Sequence, residues 1–420
     1  MILHAPTSQK PPLSAWQTWT GAPHRMMFLP GAVLFVLTIL LVAWEVGGRS
    51  LGLWGAPPWA VPPAWGHAYL MLFGLFPWFI FGFGMTAMPN WTGQKVARAA
   101  WIAAALLMIA GVLLLLAGLV AGAALAVAGG ALQLAGWLIG TGALARLVLA
   151  QHRAAKKRDR HATAIVGLLL LGACAAALFL AGIAAQEAGW IALAGTAGIW
   201  LFLLPIFLVV SHRLIPFFSS RVIAQYLPYD PAVSLPLLGL LCLAHFALEG
   251  AGLAQYTWVA DFPLAAWTGW LAHRWGLAKS FRARLLAMLH VSLAVLSASL
   301  ALHAAASLAA LAGEPALFGR GPLHLLAIGY FAAMTMGMVS RVSLGHSGRA
   351  LEADAITWYG FLALVATGVL RAVADFAPLA GPARAWLLGI SAAGWIVVMG
   401  AWALRFVPIY LAPRPDGKPG

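Results

Sequence analysis

Charge is scarce in this sequence. Lys, Arg, Asp and Glu make up 9% of its 420 residues, and 63% are apolar, whereas soluble domains carry about 25% charged residues. No Asp, Glu, Lys or Arg occurs between Trp101 and Arg146. A soluble protein of this length needs charged residues to cover its surface, so the composition excludes an ordinary soluble globule. It predicts a bundle of membrane-spanning helices, for which the lipid bilayer is the first partner.

Acidic residues and cysteines are also few. The sequence has 11 Asp and Glu against 25 Lys and Arg, which gives a net charge of +14. The basic residues lie in short loops and form no continuous basic face, so we expect no nucleic-acid partner. The two cysteines, Cys174 and Cys242, lie in apolar segments and form neither a disulfide framework nor a CxxC motif. The first 25 residues contain no apolar core of a cleavable signal peptide, so we expect the first span to be an uncleaved anchor.

Apolar runs of about 20 residues, the length that crosses a bilayer, recur along the chain. They predict an all-α, polytopic membrane bundle of about twelve helices. A single domain over 26–410 would lie between short tails at 1–25 and 411–420. The expected spans are 26–46, 66–88, 100–121, 127–150, 162–183, 188–210, 232–252, 256–273, 284–310, 321–341, 355–376 and 384–408.

Basic residues are distributed unequally between the two sides of these spans. With both termini in the cytoplasm, 21 of the 25 basic residues face inward, as the positive-inside rule requires. This predicts a multi-pass protein of the bacterial inner membrane. The four that face outward are Arg49, Arg320, Arg371 and Arg384.

Histidines inside membrane spans are costly and point to function. The span boundaries place four of them near the outer side, namely His67, His245, His303 and His324. His290 and His346 lie toward the inner side, and 13 helical residues separate His290 from His303, which is roughly 20 Å. Imidazole is a common ligand of haem iron and copper. The outer histidines are therefore candidates for one shared cofactor site, although any single one could simply be hydrogen-bonded.

The seventh span carries Cys242, His245 and Glu249, whose spacing of three and four residues places them on one helical face. A thiol, an imidazole and a carboxylate together could bind copper or pass protons. A helix-packing stripe that ends in an interfacial Glu249 is the simpler alternative.

Several motifs resemble the NnrS family. The second span ends in Met-Pro-Asn-Trp-Thr-Gly, the sixth in Arg-Leu-Ile-Pro-Phe-Phe from Arg213, and the tenth runs from His324 through Arg341 to Leu-Gly-His-Ser-Gly-Arg around His346. Arg25 and Leu289-His290 also fit the family pattern. The resemblance implies a twelve-span protein that contains haem and copper, is associated with nitric oxide regulation and denitrification, and protects against nitrosative stress.

The chain departs from that pattern at the start of the second span. His67 matches the first family histidine, but Tyr69 and Leu70 stand where the family has a second His and a Glu. The departure implies that haem is kept and that a copper site is incomplete, with Tyr69 as a substitute ligand. At the inner rim, Arg213 and Arg341 are candidates to hold haem propionates or helix-end carbonyls.

These features lead to three hypotheses. The first is a haem-binding membrane protein of nitric oxide metabolism, with copper as a second candidate metal and nitric oxide as its small-molecule ligand. If the protein is an enzyme, its reaction would be redox chemistry of haem on nitric oxide. The second is a cofactor-free transporter or channel for a small solute, and the third is a scaffold for a respiratory complex.

The charge asymmetry generates a topological prediction. A fluorescent reporter fused after Lys418 should be active, and a phosphatase that folds only outside the cytoplasm should be inactive there, because both termini are expected inside. An active phosphatase fusion would contradict the even number of spans.

Overall fold

The computed structural model describes residues 14–154, 158–379 and 381–416, and the described residues form helices without a strand. Twelve long helices follow the twelve predicted spans in order, which confirms the all-α polytopic bundle. They are α1 (Pro23–Ser50), α2 (Pro63–Thr92), α3 (Arg98–Ala121), α4 (Ala123–Arg153), α5 (Arg160–Ala185), α6 (Ala188–Val222), α7 (Ser234–Gly250), α8 (Trp258–Arg274), α9 (Arg284–Leu311), α10 (Gly321–His346), α11 (Ala355–Val373) and α12 (Pro382–Leu411).

Ten of these helices are long and apolar enough to cross a membrane, counted over the described ranges. The other two, α7 and α8, have 17 residues each, fewer than the ~20 that span a hydrocarbon core. In α8 the apolar run is interrupted near its start by Asp261 and Pro263 and ends at Arg274. The number of crossings is even if both α7 and α8 span the membrane or if neither does.

The first span begins earlier than predicted. Pro23 occupies the first turn of α1, where its missing N–H costs nothing, so Arg25 belongs to the helix and not to the tail. A five-residue helix, Ala15–Trp19, precedes it. Ser14 and Gln17 form a reciprocal capping box at its start, which the hydropathy pattern does not reveal.

Helices α3 and α4 pack closely because glycines face one another along their contact. A β-carbon at Gly129 would lie 2.3 Å from the Leu115 amide nitrogen, and one at Gly111 would lie 2.3 Å from the Gln133 nitrogen. Lipid offers no hydrophobic driving force between helices, so association depends on this kind of close backbone approach. The long uncharged stretch of the sequence is therefore a tight helical hairpin.

Four of the long helices contain a π-helical segment, counted over the described residues. These segments are Val46–Ser50 in α1, Leu70–Leu75 in α2, Gly198–Leu203 in α6 and Leu325–Ala332 in α10. A π turn frees backbone carbonyls that lipid cannot satisfy. In α2, the Gln133 side chain of α4 donates a 2.7 Å hydrogen bond to the Phe73 carbonyl. Such segments occur frequently at functional sites.

The packing of α3 on α4 generates a stability prediction. Gly129→Ala should destabilise the protein by about 1–3 kcal/mol, because the new methyl group would overlap backbone atoms of α3. A β-carbon at Gly142, in the same helix, would meet no atom within 4 Å, so Gly142→Ala is the matched control. Thermal unfolding in detergent should show a lower midpoint for Gly129→Ala only, and equal midpoints would contradict the close packing.

Candidate functional site

A cavity of about 460 Å³ lies at the end of the bundle that is predicted to face outward. Its volume is within the ~300–1,000 Å³ range of small-molecule and cofactor sites. The wall is mainly apolar and comes from α1, α2, α6, α10 and α12, including Met71, Phe76, Phe331 and Trp395. Each of the four π-helical segments contributes to it, through Val46, Leu70–Leu72, Ile199 and Leu203, and Ala327, Ile328 and Phe331.

Both of the predicted outer-leaflet ligands on α2 and α10 line this cavity. His67 Nδ1 is buried without a hydrogen-bond partner, and no partner for the rest of its ring occurs among the described residues. His324 is engaged at both nitrogens. Its Nδ1 donates to the Arg320 carbonyl at 2.9 Å, and its Nε2 accepts from Arg371 Nη2 at 3.3 Å. The two histidines therefore differ in availability, and His67 is the free imidazole.

Charged groups gather around His324. Asp375, whose side chain is 2% exposed, lies 2.7 Å from Arg371 Nη1, 3.0 Å from Arg384 Nη2 and 3.2 Å from His324 Nδ1. Burial opposes the charge on Asp375. The His324 hydrogen bond and the two arginines outweigh burial and hold the pKa of Asp375 well below its usual range. Arg320 and Arg371 both line the cavity, so its rim is cationic.

Sequence reasoning missed this network, although it contained a signal for it. Arg320, Arg371 and Arg384 are three of the four basic residues that depart from the inward bias. Arg320 and Arg371 line the cavity, and Arg384 pairs with Asp375 beside them, so these residues are not scattered exceptions to the positive-inside rule. Glu45 adds a carboxylate to the wall and accepts a 2.7 Å hydrogen bond from Trp59 Nε1.

Tyr69 and His303, two further candidate ligands, do not line the cavity. The Tyr69 ring packs against Phe73 and Phe179, with ring centroids 5.6 Å apart in both pairs. His303 donates from Nδ1 to the Ser299 carbonyl at 2.9 Å and contacts Trp200 of α6. Leu70, by contrast, lies on the cavity wall and supplies no ligand atom.

His303 belongs to a second polar cluster, formed by α6, α7, α8 and α9. His245 lies between two carboxylates, with Nδ1 2.5 Å from Asp261 Oδ1 and Nε2 3.1 Å from Glu249 Oε2. Cys242 is buried on the same helix. Carboxylates occupy both ring nitrogens of His245. The three candidates on α7, namely Cys242, His245 and Glu249, therefore do not converge as a set of metal ligands. No group of three His, Cys, Asp or Glu arranged to hold a metal ion occurs in the described part of the chain.

The remaining candidates lie in separate places at the end of the bundle that is predicted to face inward. His290 Nε2 is 2.9 Å from Ser219 Oγ, and the His346 ring packs against His24 with centroids 4.9 Å apart. Arg213 donates to Asp159 at 2.7 Å and lies over Trp91. Arg341 lies over the Phe218 ring, 4.0 Å from its centroid. Neither arginine contacts the outer cavity.

The Asp375 network generates a prediction about stability and pH. Asp375→Asn should cost about 3 kcal/mol, because it leaves the Arg371 charge partly buried without its partner. Because the pKa of Asp375 is lower in the folded than in the unfolded protein, the carboxylate contributes fully to stability above about pH 4, the pKa of Asp in unfolded chains. That contribution is lost as the pH falls through the pKa of the folded state. The deficit in detergent melting should therefore be equal at pH 7 and pH 5. Glu314→Gln, an exposed outer acid, is the control. A deficit that vanishes by pH 5 would contradict the assignment.

Comparison with known proteins agrees with the motifs. None of the curated proteins matches the chain. The sequence profile described as NnrS protein matches residues 18–414, a range that includes all twelve long helices and both polar clusters. The protein therefore belongs to the NnrS family.

Proposed function

We propose that this protein is a haem-binding inner-membrane protein of the nitric oxide response, in which His67 would hold the haem iron in the outer cavity. Family membership supports a nitric-oxide-response membrane protein. The observation that carries the finer proposal is the unpartnered imidazole of His67 on the wall of an apolar cavity of about 460 Å³. A buried polar atom without a partner requires an explanation, and a metal-bound cofactor supplies one.

The residues of the cavity fit a haem group in three respects. The aromatic and aliphatic wall matches a flat apolar macrocycle, the free nitrogen of His67 matches an iron ligand, and Arg320 and Arg371 at the rim match propionate carboxylates. Haem iron, when bound, supplies a coordination position for nitric oxide. His324 would act as a positioning residue, since Asp375 and Arg371 already hold its ring.

Copper does not fit the same cavity. Leu70 replaces the family glutamate on the wall, and Tyr69 packs among aromatic rings away from it. The ring nitrogens of His324 are engaged by the Arg320 carbonyl and by Arg371. We therefore propose haem without a copper ion beside it. The inner arginines Arg213 and Arg341 are 4.2 Å and 4.0 Å from aromatic ring centroids, which suits anchoring of α6 and α10.

Histidine variants test the ligand assignment. His67→Ala should lose most bound haem and its Soret absorption, because the iron would lose its anchoring ligand. His324→Ala should keep haem but reduce its yield through loss of positioning. His303→Ala and His290→Ala should retain the wild-type spectrum. The measurements are the absorption spectrum and the iron content of each variant purified in mild detergent.

Two results would contradict the proposal. Loss of haem only in His290→Ala would move the cofactor to the inner end of the bundle. A wild-type protein that is colourless and free of iron after expression with sufficient haem would instead favour the small-solute transporter.

A further inference from the structure

The cluster around His245 is independent of the cavity and has a clear direction. Glu249 has a side chain that is 40% exposed near the outer end of α7, His245 is 5% exposed, and Asp261 in the first turn of α8 is fully buried. The three groups are joined by contacts of 3.1 and 2.5 Å. They therefore form a continuous line from the surface to the interior.

Neighbouring helices hold this line in place without neutralising it. From α6, Thr196 donates to Glu249 Oε1 at 3.2 Å, and Trp200 stacks on His245 with ring centroids 3.3 Å apart. From α9, the His303 ring lies 6.2 Å from that of His245. No Lys or Arg of the described residues pairs with Glu249, His245 or Asp261, and the nearby Cys242 thiol is buried on α7. Two carboxylates thus share one imidazole.

A structural ion pair does not account for all of this arrangement. Asp261 Oδ2 is buried and has no hydrogen-bond partner, so the end of the line has a free acceptor. Buried ionisable groups are costly in a membrane protein, and chains of Asp, Glu and His are typical of proton transfer. A helix-packing contact would be cheaper with apolar side chains.

We propose that Glu249, His245 and Asp261 form a proton-loading site that takes up a proton from the outer side. The Glu249 carboxyl group gives its proton to His245 Nε2, and the N–H bond at Nδ1 breaks as Asp261 Oδ1 accepts that proton. Glu249 is left as a carboxylate that is reprotonated from solvent, and His245 is left neutral with its proton on Nε2.

The contact with Trp200 determines how the site operates. Continuous conduction would require the His245 ring to flip after each transfer, but the stacked indole of Trp200 holds the ring in one plane. The site therefore loads one proton and returns it along the same line. Trp200 lies in the π-helical segment Gly198–Leu203, which also contributes Ile199 and Leu203 to the cavity wall, so α6 separates the loading site from the cavity.

Infrared difference spectroscopy of the full-length protein in nanodiscs tests the site, with or without haem. A step from neutral to acidic pH should produce a carboxylic acid C=O band that Asp261→Asn removes. Exchange of that band in D₂O should be slower by about tenfold or more in His245→Gln, because the group that links Asp261 to Glu249 is gone. Glu249→Gln should slow it as well, and Glu314→Gln, an exposed outer acid outside the line, should not.

Glu249 is partly exposed, so Glu249→Gln keeps the test valid even if the buried variants do not fold. Exchange at the wild-type rate in folded Glu249→Gln and His245→Gln would overturn the relay. A band that persists in Asp261→Asn would show that the buried carboxyl group is not loaded. Neither result bears on haem binding, which is read from the Soret band.

Discussion

The absence of water from the hydrocarbon core is the constraint on which this structure depends. Each backbone carbonyl and each charge that leaves the regular helical pattern must find a partner inside the bundle. Gln133 meets that requirement for the Phe73 carbonyl, and Asp375 meets it for Arg371. Buried polar atoms without a hydrogen-bond partner occur at several places in the described residues, among them His24 Nδ1 and His290 Nδ1, so such an atom is informative only where a cavity or a chain of ionisable groups lies beside it. His67 Nδ1 and Asp261 Oδ2 are two such atoms, and each lies at one of the two proposed sites.

The outer cavity follows from the π-helical segments. A π turn adds one residue to a helical turn, so the side chains that follow it point in a different direction around the axis. Their packing against neighbouring helices is then less regular. Because four such segments meet at the same level, α1, α2, α6 and α10 leave a space there. The positions of His67 and His324 are similar in this respect, since Leu70–Leu75 and Leu325–Ala332 begin soon after them. The second and tenth spans therefore resemble each other in structure.

Sequence reasoning could establish depth but not which helices face one another. Apolar run lengths and charge asymmetry placed His67, His245, His303 and His324 at one level, and His67 and His324 do share a cavity. His245 and His303 lie at a similar depth but face α6 from another side. Tyr69 lies two residues after His67, about 200° around a regular helix, and packs away from the cavity. A helical wheel anticipates that direction, but contacts between distant loops, as at Asp375, leave no periodic signal.

The interruption in α8 shows how a departure from the membrane pattern can indicate function. Asp261 made the eighth span the weakest of the twelve by hydropathy, and hydropathy alone gives such a residue no role. In the structure it is the partner of His245 and has no exposed surface. Apolar composition would lengthen α8 and stabilise it in lipid, so retention of a buried carboxylate needs a reason other than packing. The same reasoning applies to Arg320, Arg371 and Arg384. Charged residues that depart from the apolar and positive-inside patterns lie beside the outer cavity and in the cluster around His245, the two places where helix packing is not uniform.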